Sequence, residues 1–486
     1  MRVHTTAGRL LGVLAVLLAS TGAGAAPALA DSPATFVTFG LSSTPGVTCP
    51  GSAACTNPAA EPAIRSTADG TFYTTSENGL GAGTEAWKSA DGGQHFVALT
   101  SPNAISTTAA TGIAPGGGDT DVAVAPVQNA SGQFNVYAAS LSLANVDVST
   151  STDGGQTWRL NPLGATIPGD DREWIAADGA SKVCISYHDV ATDNIDVNCS
   201  ADAGTTFTQL GTALDANHLF LLQNNEIGNL AIDPGSHVVY QTFSGIANAG
   251  EAVGGLLGNV AHHVVWMGVS TDGGQTFVDH PVFVNPNAAV DYGHQFVNVS
   301  VDRAGNVYSV FTDNHNLFYS FSTDRGQTWS PPGQVNQAPS STAIMPWSVA
   351  GDAGKLAVVW YGTSFFDGVT IPDNYPATAA WQVYFAQNLA ATSGGAFTQV
   401  AASPVNHFGG VCEAGATCSG NRDLFDDFGV AVSPTTGMAS IVYSDDQFRN
   451  DASNPPRAGC AAAQSNTAAC DHTAIATQVT GARLIG

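Results

Sequence analysis

Acidic residues gather at a few points of a chain that otherwise carries little charge. Asp, Glu, Lys and Arg make up 11% of the 486 residues. Yet Glu61, Asp119 and Asp121, the run Asp170-Asp171-Arg172-Glu173, Glu226, Asp291 to His294 and the run Arg422 to Asp427 each stand at the start of a short apolar segment. Carboxylates brought to one place repel one another unless an arginine or a cation lies among them, and crowding raises the pKa of some. Such a group can supply a general acid and base, or hold calcium; the plainer alternative is turn capping and internal ion pairs. Asp119, Asp121, Asp170 and Asp171 are the candidates for a catalytic proton donor. Arg172 and Arg422 are candidates for gripping a substrate carboxylate with two parallel hydrogen bonds, with Glu173 and Asp426 beside them in the binding group. Neutralising Asp171, Asp423 or Asp426 is the competing role for both arginines. Arg449 and Arg457 could reach the same place from a later loop.

The elements that must position these residues repeat. Five stretches share the form Ser-x-Asp-x-Gly-x-Thr/His-aromatic, beginning at Ser89, Ser151, Ser200, Ser270 and Ser322, and a worn version runs from Thr392 to Phe397. Asp can accept the N–H groups of a tight turn, Gly supplies the positive φ, and the aromatic opens the next strand. Upstream of each stands an apolar strand, a turn and a second strand rich in β-branched and aromatic residues, and seven such inner hairpins can be counted. Only Ala474 to Thr480 follows the seventh, so Thr35 to Phe39 is expected to supply the missing outer strand and close a ring by pairing the two ends, which removes exposed sheet edges. The expected fold is all-β: one propeller of seven four-stranded blades over residues 31–486. Alternation of strand direction then puts the inner-strand starts and the second-to-third-strand loops on one face and the Asp turns on the other.

The repeated turn resembles the Asp box, or BNR repeat, of sialidases and related β-propellers. That resemblance implies that the box aspartates are structural and lie away from the active site. Sialidases hold a substrate carboxylate with three arginines and use a tyrosine activated by a glutamate as nucleophile and an aspartate as acid/base. The sequence departs from that pattern. Sialidases carry an Arg-Ile-Pro element early in the first inner strand, whereas here Glu61-Pro62-Ala63-Ile64 precedes Arg65. Sialidases have six blades, against seven counted here, and no tyrosine is marked as a nucleophile by its spacing.

Met1 to Ala30 reads as a secretory leader, with Arg2 and Arg9 before the apolar Leu10 to Leu18 and Ala28-Leu29-Ala30 as a cleavage site. Removing it takes away two arginines and no acid, so the formal net charge of −25 becomes −27. A surface of that sign excludes nucleic acid and anionic membranes as partners. Eight cysteines fall into local pairs, Cys49/Cys55, Cys184/Cys199, Cys412/Cys418 and Cys460/Cys470, as expected of disulfides in an oxidising compartment. A secreted, extracellular monomer without a cofactor, calcium apart, is expected. Two functions stay open. One is a glycoside hydrolase of sialidase type acting on a terminal acidic sugar, which needs three guanidiniums in one pocket. The other is a non-catalytic propeller that binds a glycan or protein ligand through aromatics such as Trp347, Phe365, Phe366 and Tyr375.

Overall fold

The computed structural model describes Met1 and residues 33–52, 54–103, 116–142, 145–165, 167, 169–252, 260–447, 459–460 and 468–486. The expected leader, Arg449 and Arg457 lie outside them. Seven antiparallel sheets follow one another around an axis. Their innermost strands are Ala60–Ser66, Thr120–Gln128, Asp170–Asp178, Asn225–Ile232, Asn298–Val301, Thr342–Ala350 and Gly429–Val432, defining blades 1 to 7. Blade 7 takes its outermost strand, Thr35–Gly40, from the other end of the chain, paired antiparallel with His472–Thr480. This is the expected ring closure. Blade 1 has a fifth strand that the sequence did not suggest, Thr48–Cys49, added outside Phe96–Ala98. All four local disulfides are formed. No described helix is long and apolar enough to cross a membrane.

The boxes are hydrogen-bonded turns between third and fourth strands. In blade 2, Ser151 Oγ donates to Asp153 Oδ1 and accepts the Gly155 N–H, both at 2.8 Å, while Asp153 Oδ1 accepts the N–H groups of Gln156 and Thr157 at 3.0 and 2.9 Å. Asp91, Asp202, Asp272 and Asp324 repeat the scheme. Hydrogen bonds from Thr206 and Thr328 hold Asp202 and Asp324 down to about 2, so these acids are ionised acceptors and not proton donors.

Of the two left-handed positions in each box, the second is glycine in all five copies. The first tolerates Ala203 and Arg325 at φ of 58° and 62°. The reason is packing against the preceding blade: a Cβ at Gly93 would lie 2.2 Å from Ser440 Oγ, and one at Gly155 2.8 Å from Leu99 Cδ1. The box carbonyls also receive hydrogen bonds across the seams, from Lys88 Nζ to Gly154, Lys182 Nζ to Gly273, Thr150 Oγ1 to Ala203 and Thr477 Oγ1 to Gly93. In the worn copy of blade 6 an asparagine does the turn's work. Asn388 Oδ1 accepts the Ala390 N–H and its Nδ2 donates to the Gly395 carbonyl.

Asp153→Ala leaves several turn N–H groups without their acceptor, and a loss of about 1–3 kcal/mol follows from the worth of charge-assisted hydrogen bonds. Denaturant unfolding should show that loss with ligand binding on the far face unchanged; an unaltered midpoint would remove the box from the stability of the ring.

Candidate functional site

Three inner strands open with a register shift at a residue of positive φ: Ala60/Pro62 in blade 1, Asp171/Glu173 in blade 3 and Ile344/Trp347 in blade 6. The residues at these shifts, Glu61, Arg172 and Met345, have φ of 53°, 55° and 50°. A bulge of this kind re-aims one side chain out of the regular alternation, and strained backbone of this kind concentrates at functional sites. Arg172 is thereby placed at the crowded end of the axis. It is buried, its Nη1 lies 2.5 Å from Glu61 and 3.5 Å from Asp119, and its Nη2 lies 2.5 Å from Asp427. Its guanidinium carbon sits 4.3 Å from the Trp174 ring centre and 4.7 Å from that of Phe296. One cation therefore joins carboxylates of blades 1, 2 and 7 and packs on aromatics of blades 3 and 5.

Above Arg172 opens a cavity of about 610 Å³ at the mouth formed by the inner-strand starts. Asp119, Asp171, Arg172, Arg422 and Asp426 line it, as do Glu77, Glu226 and Glu413, with Leu80, Leu141, Phe296 and Met345 as apolar patches. No box residue is among the lining residues. Arg422 is half-buried and ion-paired with Asp426. Both guanidiniums of the pocket are thus already engaged by the protein's own carboxylates. Arg65 points elsewhere and pairs at 3.0 Å with Asp121, which is 1% exposed.

The structure separates the remaining candidates. Asp121 also accepts the backbone N–H groups of Val122 and Ile175, so it stitches blades 1, 2 and 3 below the pocket. Asp170 faces Asp189 and Asp196 within blade 3; burial and those two acids push it up to about 7. Glu173 is fully buried beside the strand, and neither of its oxygens has a hydrogen-bond partner among the described residues; burial and Asp119 raise its pKa well above the usual carboxylate range. Of the aromatics proposed as stacking groups, Trp347 and Tyr375 are buried, while Phe366 is 45% exposed.

Two acids that matter were missed from the sequence. Glu77 ends the second strand of blade 1, Phe72–Glu77, and so opens a second-to-third-strand loop on the mouth face; scanning strand ends as well as strand starts would have found it. Glu61, Glu77 and Asp119 each bring a carboxylate oxygen to within 4.8 Å of the others. Burial, then the nearby Asp119, push Glu77 up to about 8, against the opposing pull of Arg422 and Arg172. Glu226 also rises to about 8, from burial and from Asp171 and Asp193. Glu413, on the loop closed by Cys412–Cys418, reaches blade 5 and accepts hydrogen bonds from Gln295 and Asn314.

The same trio is the group at the mouth that could hold a cation. Among the described residues, two other sets with ligand-like spacing lie away from it. In one, His218 Nδ1 lies 3.0 Å from Asp215 and 3.7 Å from Asp279. In the other, His407 presents Nδ1 to Asp446 at 2.7 Å and Nε2 to the Gly410 carbonyl at 2.9 Å. A nitrogen facing a carbonyl oxygen must donate, and with a carboxylate on the other nitrogen the ring is held as the imidazolium, not as a metal ligand.

The BNR/Asp-box repeat family matches residues 320–331, over the box of blade 5. No curated protein matches the chain in sequence. Among solved structures, the chain is similar to an alpha-L-arabinanase of Penicillium chrysogenum complexed with arabinobiose, at 11% identity over 94% of this chain and 99% of that one, with a TM-score of 0.44. It is similar also to an Aleuria aurantia lectin mutant (11% identity, 72% and 97% covered, TM-score 0.41) and to a mutant of NanB sialidase from Streptococcus pneumoniae (10% identity, 87% and 69% covered, TM-score 0.39). Similarity at this level carries no information on activity. The repeat and the seven sheets together make this an Asp-box β-propeller of seven blades.

Two outcomes follow for stability. Arg172→Met strands Glu61 and Asp427 as buried acids without a cation, which costs about 3–5 kcal/mol for a broken buried pair; a variant as stable as the parent in urea would show that the pin is dispensable. The pH dependence has a definite sign. Glu77 and Glu226 keep protons up to about 8 in the folded chain against 4.5 unfolded, and Asp147 and Asp279, raised chiefly by burial, up to about 7 against 3.8. The folded state therefore holds more protons between those limits, and stability falls as pH rises from about 4 to 8. Thermal midpoints that rise over this range would contradict the assignment.

Proposed function

We propose that this chain is an exported, monomeric propeller that binds a glycan in its axial pocket and hydrolyses a glycosidic bond there with a pair of carboxyl groups. The observation that carries the reading is Glu77, a carboxyl kept protonated at neutral pH, set against Asp119 on the wall of a substrate-sized cavity. A raised acid next to a carboxylate is the arrangement that separates acid and base roles. Glu77 is the general acid that protonates the leaving oxygen; Asp119, 3.5 Å from Arg172 Nη1, is the carboxylate that attacks the anomeric carbon. Their closeness fits the short spacing of about 5 Å between carboxyl groups in retaining glycosidases. The four disulfides support export into an oxidising compartment, and cleavage after Ala30 belongs to the same reading.

A terminal acidic sugar fits this pocket poorly. Its carboxylate would face Glu77, Asp119, Asp171, Glu226 and Glu413, and the two guanidiniums within reach are both ion-paired already. The three-arginine grip of the sialidase scheme is not assembled among the described residues. The reading therefore moves from an acidic sugar to one without negative charge.

The test is turnover of a panel of 4-nitrophenyl and 2,4-dinitrophenyl glycosides by the exported protein. Glu77→Gln should lower kcat on the 4-nitrophenyl substrate by about 10²–10⁴-fold, the usual worth of a general acid, and much less on the 2,4-dinitrophenyl one, whose leaving group needs no proton. Asp119→Asn should abolish both, and wild-type activity should fall as pH rises through about 8. Absence of turnover on every glycoside, with oligosaccharide binding retained, would turn the assignment to a binding propeller.

A further inference from the structure

We infer that Asn78 is a site of spontaneous modification: its side-chain amide cyclises onto the Gly79 nitrogen and reopens with water to aspartate or isoaspartate, which remodels the loop at the rim of the axial pocket. The chemistry needs only the chain and water. The Gly79 nitrogen bonds to Asn78 Cγ and loses its proton to solvent, the Cγ–Nδ2 bond breaks, and ammonia leaves a succinimide ring. Water then adds to one of the two ring carbonyls. Opening on one side restores the main chain as aspartate; opening on the other routes it through the side chain as isoaspartate, which lengthens it by a carbon.

Asn78-Gly79 is the only Asn–Gly pair in the 486 residues. Glycine leaves the attacking nitrogen unshielded and its backbone free to turn toward the side chain. The fold keeps that freedom. Asn78 follows the end of the strand Phe72–Glu77, and its side chain makes no hydrogen bond among the described residues. The Gly79 N–H donates to no described carbonyl, although the Asn78 N–H on one side is held by Gly117 and the Gly83 N–H on the other by Gly116. A Cβ on Gly79 would meet nothing within 4 Å, so the space for cyclisation is open. The asparagines that precede alanine are not free in this way: Asn103, Asn129, Asn248 and Asn287 each accept a backbone N–H on the side-chain oxygen. The Asp–Gly pairs of the boxes, at Asp91, Asp153 and Asp272, have carboxylates tied to turn N–H groups, and an ionised carboxylate is a poor electrophile. Gly79 and Leu80 line the pocket beside Glu77. The Gly79 carbonyl lies so close to Gly117 that a Cβ there would be 2.7 Å from it, so an added backbone carbon has no room without moving this wall. The new carboxylate also puts a like charge next to Glu77.

The modification stands apart from the glycosidase reading; only its effect on activity rests on that reading. The test incubates the folded protein at mildly alkaline pH and follows the tryptic peptide Ser66 to Lys88 by mass, since Asn78 is its only asparagine and it has no glutamine. That peptide should gain the mass of amide-to-acid conversion ahead of every other asparagine peptide, and an isoaspartate-specific methyltransferase should label it. Gly79→Ala should slow conversion at least about tenfold by restricting the backbone at the nitrogen. Asn78→Gln, too long for the same ring, should not convert. Amide hydrogen exchange at Gly83, slow in fresh protein, should become fast in the aged fraction. Turnover of the 4-nitrophenyl substrate should fall with the converted fraction and hold in Asn78→Gln. Conversion in urea but not in the folded chain, or no faster at Asn78 than elsewhere, would overturn the inference. Conversion with exchange unchanged would overturn the remodelling. A parent without turnover would fail the glycosidase reading and leave the mass and exchange tests in force.

Discussion

Burying one guanidinium among carboxylates is the constraint on which this propeller's axis depends. Arg172 has Glu61, Asp119 and Asp427 within ion-pair distance, and Glu77 lies next to two of them. One positive charge cannot hold that many negative charges in a medium of low dielectric, so part of the group must keep its protons. The half-buried carboxyl of Glu77 is the one that can do so at the pocket surface. The same arrangement thus closes the ring electrostatically and leaves an acid poised above it.

The ring itself is held from the other end. Each box spends its aspartate on its own turn, and the boxes of blades 1 to 4 present a carbonyl to the preceding blade, where Thr477, Lys88, Thr150 and Lys182 donate to it. Two of the chain's three lysines are used in this way. Blade 7 completes the circle with a strand from the opposite end of the chain, paired antiparallel to His472–Thr480. Structural aspartates and chemical ones are therefore sorted to opposite faces. Hydrogen-bonded turn N–H groups pull the first kind down to about 2; burial and mutual repulsion push the second kind up.

That sorting explains why the resemblance to sialidases reaches the scaffold and stops at the site. The boxes are those of the BNR/Asp-box repeat. The mouth differs in sign, because the guanidiniums that a carboxylate-bearing sugar requires are bound by Glu61, Asp427 and Asp426.

The sequence by itself determined every feature whose interactions are local. An Asp box makes its hydrogen bonds within eight residues, the disulfides join cysteines 6 to 15 positions apart, and hairpin alternation counts seven blades and places Asp119, Arg172 and Arg422 on the mouth face. The closing strand was legible because blade 7 otherwise lacked a partner. Tertiary structure alone decided which of these acids share a space. Glu61, Glu77, Asp119 and Asp427 come from three blades that only the closed ring brings together. Faces could not be assigned by counting either, because a bulge at Arg172 with φ of 55° breaks the two-residue period, and a slip of one residue exchanges the faces of everything after it. That is why Arg172 points into the axis while Glu173 lies buried beside the strand, and why Asp121 lies below the pocket that Asp119 lines. The order of side chains is written in the chain; the charges each one meets are set by neighbours far away in it.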